Sequence, residues 1–178
     1  MKFNSKQLRK STPKKTDIQS IIKNPIYIVL DRVIDTYNIG SLFRLADAIA
    51  AEKFYICGGD DVEYPPSSRI HKAAVGTEAW VPWEKAENTT EVLKKLRTEK
   101  IQIIAVEQNK KAISYKLLAK NLRFPCAIVV GNETNGVSKE VLEQADLIVE
   151  LPMYGVNKSF NVWGSAAVVA YKILENLV

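Results

Sequence analysis

Apolar and polar positions along the chain follow two alternating rhythms. Ile26 to Leu30 is an unbroken apolar run of strand length, and behind it Ile39, Leu42, Leu45, Ala46 and Ile49 recur with the spacing of one helix face. Phe54 to Cys57 is a second short apolar run, stopped by Gly58, Gly59 and two aspartates. Residues 60 to 71 contain Pro65, Pro66, Ser67 and Ser68 and read as an exposed loop. Asn88 and Glu91 have the spacing of a capping box, which opens a helix reaching about Lys100. Ile101 to Val106 predicts a strand, Ile113 to Leu122 a weaker helix ended by Pro125, and Ala127 to Val130 a buried strand. Ser138 is placed to cap a short helix to Ala145. Leu147 to Leu151 predicts the last strand, Pro152 to Lys158 a loop, and Phe160 to Asn176 the last helix.

Strands that are nearly all apolar and alternate with helices predict an α/β fold, a parallel sheet flanked by helices on both faces. Ligands of such sheets sit beyond the carboxyl ends of the strands. Three segments therefore become candidates: Asp31 to Arg44, Gly131 to Ser138 and Pro152 to Asn161.

The 178 residues (20.0 kDa) suit one domain able to bury its own core. Hydrophobic residues at 47% and charged residues at 25% exclude wholesale disorder and collagen-like or disulfide-scaffold classes. The net charge of +5 is unevenly placed. Residues 1 to 23 hold seven basic side chains against Asp17 alone, and residues 24 to 178 hold 18 basic and 19 acidic ones. We divide the chain accordingly into a basic N-terminal arm (1–23) and a nearly neutral domain (24–178). The arm is suited to contacting a polyanion by neutralising phosphates, or is a solvated terminus.

Cys57 and Cys126 lie far apart in apolar surroundings, and His71 is the one histidine, so no metal site is expected. His71 reads as a surface or capping residue. No apolar stretch approaches the roughly 20 residues of a membrane span, and the expected location is cytoplasmic.

GNETNGVS (131–138) has the glycine spacing of a phosphate-binding P-loop, but Val137 stands where that loop needs lysine, which disfavours nucleotide hydrolysis. No GxGxxG follows the first strand, so an ordinary dinucleotide site is disfavoured too. Taken singly, each candidate segment has a structural explanation. The Gly131 turn is either a ligand cradle or a tight connection, Asn38 is placed as an N-cap with Arg44 as a solvated cation, and Ser159 with Asn161 can cap the last helix.

In order and spacing, NIGSLFRLADAIA, VVGNETNGVS and LPMYGVNKSFNV together resemble the three motifs of the SpoU (TrmH-like) RNA 2′-O-ribose methyltransferases of the SPOUT superfamily. The resemblance covers residues 25 to 176. It implies a C-terminal trefoil knot that holds S-adenosyl-L-methionine. It places Asn38, Arg44, Glu133, Ser159 and Asn161 at active-site positions, and Gly131, Leu151, Met153 and Phe160 against the methyl donor. Phe160 replaces a usual leucine, and Trp163 replaces a usual small residue, either filling a dimer interface or altering the pocket wall.

The resemblance implies methylation of a ribose 2′-hydroxyl in transfer or ribosomal RNA, with transfer RNA slightly favoured. Arg44 then binds the neighbouring phosphate and either acts as base or stabilises the developing alkoxide, the second being chemically easier for a side chain that stays charged. Asn38 holds Arg44 and the phosphate, while Glu133, Ser159 and Asn161 orient loops and nucleotide. The alternative is a non-catalytic RNA-binding protein that keeps the knotted fold.

Val162 to Tyr171 contains no charge, as expected of a helix buried on two sides, and the resemblance implies a homodimer through it. Substrate selection is expected from the arm, the 60 to 76 loop and the dimer surface.

Overall fold

The computed structural model describes residue 8 and residues 12 to 177. The short α1 (Lys15–Gln19) leads into β1 (Asn24–Asp31), α2 (Thr36–Ala48) and β2 (Ala51–Cys57). Then follow α3 (Ser68–Ala74), a 3-10 turn (Thr77–Ala79), β3 (Trp83–Ala86) and α4 (Thr89–Thr98). The second half runs β4 (Gln102–Val106), β5 (Ile113–Ser114), a 3-10 helix (Tyr115–Asn121), β6 (Cys126–Gly131), α5 (Lys139–Gln144), β7 (Leu147–Glu150) and α6 (Val162–Leu174). Ten residues of the basic arm, 1 to 7 and 9 to 11, lie outside the described residues.

The described strands form one parallel sheet in the order β3-β2-β1-β6-β4-β7-β5, the expected fold class. Side chains alternate across it with the period of two that a pleated strand imposes. Ile26, Ile28 and Leu30 of β1 join Ile128 and Val130 of β6 beneath α2, α3 and α6. Val29, Ala105 and Val129 point the other way and pack on Val92, Leu93 and Leu96 of α4 and Val141 of α5. Burial on both faces explains why these strands read as unbroken apolar runs.

Because every pairing is parallel, Asp31, Cys57, Val106, Gly131 and Glu150 all end their strands along one edge of the sheet. Asp31 is 3% exposed there; its carboxylate accepts from Thr89 Oγ1 at 2.7 Å and from the Ser138 N–H at 2.8 Å. That one side chain ties the starts of α4 and α5 to the end of β1.

Several local expectations need correction. The 60 to 71 segment is not all loop, because Ser67 accepts from the Ile70 N–H at 3.3 Å and starts α3, which buries Ile70. α3 crosses α2 at Gly40, where a Cβ would stand 2.5 Å from Ala73 Cβ. The 113 to 122 segment is a two-residue strand and a 3-10 helix rather than a weak α-helix, with Leu118 buried. Asn88 caps α4 through the Thr90 N–H at 2.9 Å, without a reciprocal bond from Glu91. Asp35, not Asn38, is the N-cap of α2, accepting from the Tyr37 N–H at 2.8 Å. Ser138 begins α5 without a side-chain cap.

Candidate active site

At the carboxyl edge of β6, β4 and β7 lies a cavity of about 430 Å³. Its wall includes Asn38, Gly131, Glu133, Leu151, Met153, Ser159, Phe160 and Asn161, eight of the nine residues singled out in the sequence. Chain topology joins them: parallel strands deliver the 131–138 and 151–161 segments to the same edge as the start of α2.

Glu133 is the hub of the polar wall. Its carboxylate accepts from the backbone N–H of Ile34 at 3.2 Å and of Asp35 at 3.1 Å, and from Asn38 Nδ2 at 2.9 Å. A negative charge at the first turn of α2 is also favoured by the helix dipole. Asn38 is 5% exposed, and its Oδ1 accepts from Asn161 Nδ2 at 3.1 Å. Asn161 Oδ1 in turn accepts from the Trp163 N–H at 3.0 Å and caps α6. The two end groups, a carboxylate and a peptide N–H, each act in one sense only, so both asparagine amides between them are fixed in orientation. Ser159 is held by Asn157, whose Oδ1 accepts from the Ser159 N–H at 3.1 Å.

The Gly131 turn folds on itself. A Cβ on Gly131 would lie 2.1 Å from the Gly136 carbonyl carbon and 2.2 Å from the Val137 nitrogen, so only glycine lets the returning chain cross the end of β6. The Thr134 and Asn135 N–H groups donate to Asn132 Oδ1, Gly136 to the Asn132 carbonyl, Val137 to Glu107 Oε2 and Ser138 to Asp31. All five peptide donors are committed inside the protein. The turn is therefore no phosphate cradle, which agrees with the missing lysine.

Glu107 and Gln108, just beyond β4, belong to the wall although no motif segment contains them. Glu107 accepts from the Val137 N–H at 2.8 Å, and Gln108 Nε2 donates to the Lys158 carbonyl at 2.5 Å, so they brace the other two loops. Their position as the first polar residues after a buried strand was the available signal. Arg32, just beyond β1, lies outside this wall. It adopts φ 55 between Cys57, whose carbonyl takes its N–H, and Asn132, whose Nδ2 donates to its carbonyl at 3.0 Å. A non-glycine residue in that conformation costs about 1 kcal/mol, which these flanking bonds offset.

Arg44 is not in the wall. It lies six residues beyond Asn38, about 9 Å along the α2 axis, on an exposed face shared with Tyr37 and Ser41. Among the described residues it has no ion-pair or hydrogen-bond partner for its guanidinium. Trp163 is also outside the wall and 44% exposed on α6, beside Val168 and Tyr171 at 37% and 53%. His71 pairs with Glu78 at 2.5 Å, away from the cavity, as a surface residue does.

Known proteins similar in sequence and architecture point the same way. The chain is 29% identical over 171 residues to the tRNA (guanosine(18)-2′-O)-methyltransferase of Borreliella burgdorferi, covering 92% of this chain and 74% of that one. It is 28% identical over 152 residues to the 23S rRNA (guanosine-2′-O-)-methyltransferase RlmB of Neisseria meningitidis, covering 85% of this chain and 59% of that one. The AdoMet-bound rRNA methyltransferase of Sinorhizobium meliloti has the same fold, with a TM-score of 0.77 at 23% identity over 96% of this chain and 60% of that one. The model of the SpoU rRNA Methylase family matches residues 25–171. The chain belongs to the SpoU rRNA Methylase family.

Proposed function

We propose that this protein is an S-adenosyl-L-methionine-dependent methyltransferase acting on the ribose 2′-hydroxyl of a nucleotide in transfer or ribosomal RNA. The observation that carries this is the Glu133–Asn38–Asn161 chain, which joins all three motif segments around one cavity. Relatives acting on guanosine 2′-hydroxyls of both RNA classes support it.

The cavity suits the donor. About 430 Å³ lies within the range of small-molecule pockets, and its wall combines the carboxylates of Glu107, Glu133 and Glu150 with Val106, Leu151 and Phe160. A sulfonium cation and an aromatic base need that combination. Residues 153 to 157 make no backbone–backbone hydrogen bond with the described residues, which leaves peptide groups for a ring such as adenine. Gly131, Leu151, Met153 and Phe160 hold the cofactor, which supplies a methyl group on sulfur with its leaving group built in.

Arg44 grips an RNA phosphate with its planar donors and stabilises the alkoxide that forms as the 2′-hydroxyl gives up its proton to solvent water. Asn38 and Glu133 set the pitch of α2 and hence the position of Arg44. Ser159 and Asn161 orient the nucleotide. The active form is a homodimer through α6, supported by the exposed apolar side chains of Trp163, Val168 and Tyr171 on that helix. We include in this reading the knotted C-terminal segment, a substrate preference for transfer RNA, the division into arm and domain at residue 24, and cytoplasmic location. Mapping 2′-O-methyl positions in RNA from cells with and without the gene tests the function. One position lost in transfer or ribosomal RNA is expected, and an unchanged map would contradict it.

A further inference from the structure

The nearly neutral domain is strongly polarised. Of its 18 basic residues, Lys110, Lys111, Lys116, Lys120 and Arg123 fall within residues 109 to 123, where there is no acid. Thirteen basic and 19 acidic residues remain elsewhere, a net of −6. The cluster occupies the β5 edge of the sheet. At the opposite edge, residues 58 to 64 and 83 to 91 around β3 carry six acids and one base, Lys85.

The five cations are exposed, and among the described residues none forms an ion pair. Lys53, Lys95, Arg97, Lys139 and Lys172, by contrast, all do. The segment is also held firmly. Gln102, 4% exposed, donates to the Asn121 carbonyl at 2.9 Å and accepts from the Arg123 N–H at 2.7 Å, and buried Leu118 anchors the middle. At its other end Gln108 lines the cavity and bonds to Lys158. Lys110 and Lys111 follow two and three residues later, within about 7 and 11 Å of main chain from the cavity wall.

We propose that residues 109 to 123 form an RNA-docking edge, along which the substrate's phosphate backbone runs while its target ribose enters the cavity. This rests on the RNA reading of the active site. The acidic β3 edge repels the same backbone, so the two edges together set the direction of approach. Lysines also protect exposed edge strands from pairing with other chains. That need explains one or two charges of either sign on the two-residue β5, not five of one sign flanking it.

The test compares two full-length variants with the native chain. In one, Lys110, Lys111, Lys116 and Lys120 become glutamine; in the other, exposed Lys85, Lys94, Lys100 and Lys139 do. Filter binding of one transfer RNA and one ribosomal RNA fragment at several salt concentrations gives the slope of log affinity against log salt. Each phosphate that is no longer neutralised flattens that slope by about 0.7 to 0.9, so the first variant should lose about 3 units and the second none. Calorimetric affinity for S-adenosylmethionine should be unchanged in both. A native slope in the first variant overturns the edge, and aggregation with a native slope assigns the lysines to edge protection and overturns it too. RNA bound with the expected loss of slope but without methyl transfer supports the edge and contradicts only the catalytic reading. No RNA bound by the native chain contradicts both.

Discussion

The side-chain amides of Asn38 and Asn161 meet at 3.1 Å across 123 positions of sequence and join the first turn of α2 to the first turn of α6. Glu133 closes the arrangement from the end of β6. Three helix and strand ends, each formed for its own local reasons, are thus set relative to one another by three side chains.

Replacing Glu133 by glutamine should loosen this junction. The carboxylate serves three donors, and an amide presents one of them with a donor instead. Because the site is open to solvent, the expected loss of stability is about 1 to 2 kcal/mol. Methyl transfer should fall more than tenfold, since α2 carries Arg44. Urea unfolding and single-turnover rates measure the two effects, and a variant with native rate would remove Glu133 from the positioning of α2.

Two glycines near the cavity should respond oppositely to alanine. At Gly131 the added methyl would stand 2.1 Å from Gly136, whereas at Gly155 nothing lies within 4 Å. Gly131→Ala should lower the melting temperature by several degrees and abolish calorimetric binding of S-adenosylmethionine, and Gly155→Ala should change neither. Equal behaviour of the two would show that the 131–137 crossing is not needed.

Burial pushes the Cys57 and Cys126 thiols up to about 12. A thiol in the unfolded chain ionises near 8.5. Above about pH 9 the unfolded chain has released protons that the folded chain keeps, so stability falls as pH rises, by up to about 1.4 kcal/mol per pH unit for each thiol. Urea midpoints at pH 8 and pH 10 should show this decline, reduced by about half in Cys126→Ala. The same decline in both proteins would assign it to other groups.

In the homodimer proposed through α6, a glutamate in place of Trp163 or Tyr171 should leave a folded monomer, because both side chains are substantially exposed in the single chain while their helix bears no charge from 162 to 171. Sedimentation equilibrium of the native chain and the two variants measures it. A monomeric native chain, or unchanged mass in both variants, would contradict the proposed dimer through α6.

Sequence pattern revealed those elements whose signal is local. β1, β2, β4 and β6 bury residues on both faces and β7 packs Leu147 and Val149 on one face and Ile148 on the other, so each announces itself as an apolar run. β3 and β5 sit at sheet edges, with short and half-exposed segments such as Ile113–Ser114, and show no such run. α3 is hidden behind Pro65 and Pro66 because its cap, Ser67, looks the same as a loop serine until Ile70 is seen to be buried. For the site, the three motifs together pick out Asn38, Glu133 and Asn161 through their resemblance to the SpoU methyltransferases, whereas taken singly Asn38 reads as a cap. Its actual partner is 95 positions away, and only the fold could supply it. Glu107 is marked in the sequence only as the first polar residue after a buried strand; its partner Val137 could not be read there, because the contact depends on β4 and β6 being neighbours.

The most direct test uses tritiated S-adenosylmethionine, the native chain and Arg44→Ala on transfer and ribosomal RNA, followed by alkaline hydrolysis. Hydrolysis needs a free 2′-hydroxyl, so a 2′-O-methylated nucleotide stays joined to its neighbour. The native chain should place tritium in alkali-stable dinucleotides. Arg44→Ala should do so at least about 10²-fold more slowly, the scale of a lost oxyanion donor, with cofactor affinity nearly unchanged. Tritium found in mononucleotides, or no transfer to either RNA class by the native chain, would contradict ribose methylation as the activity.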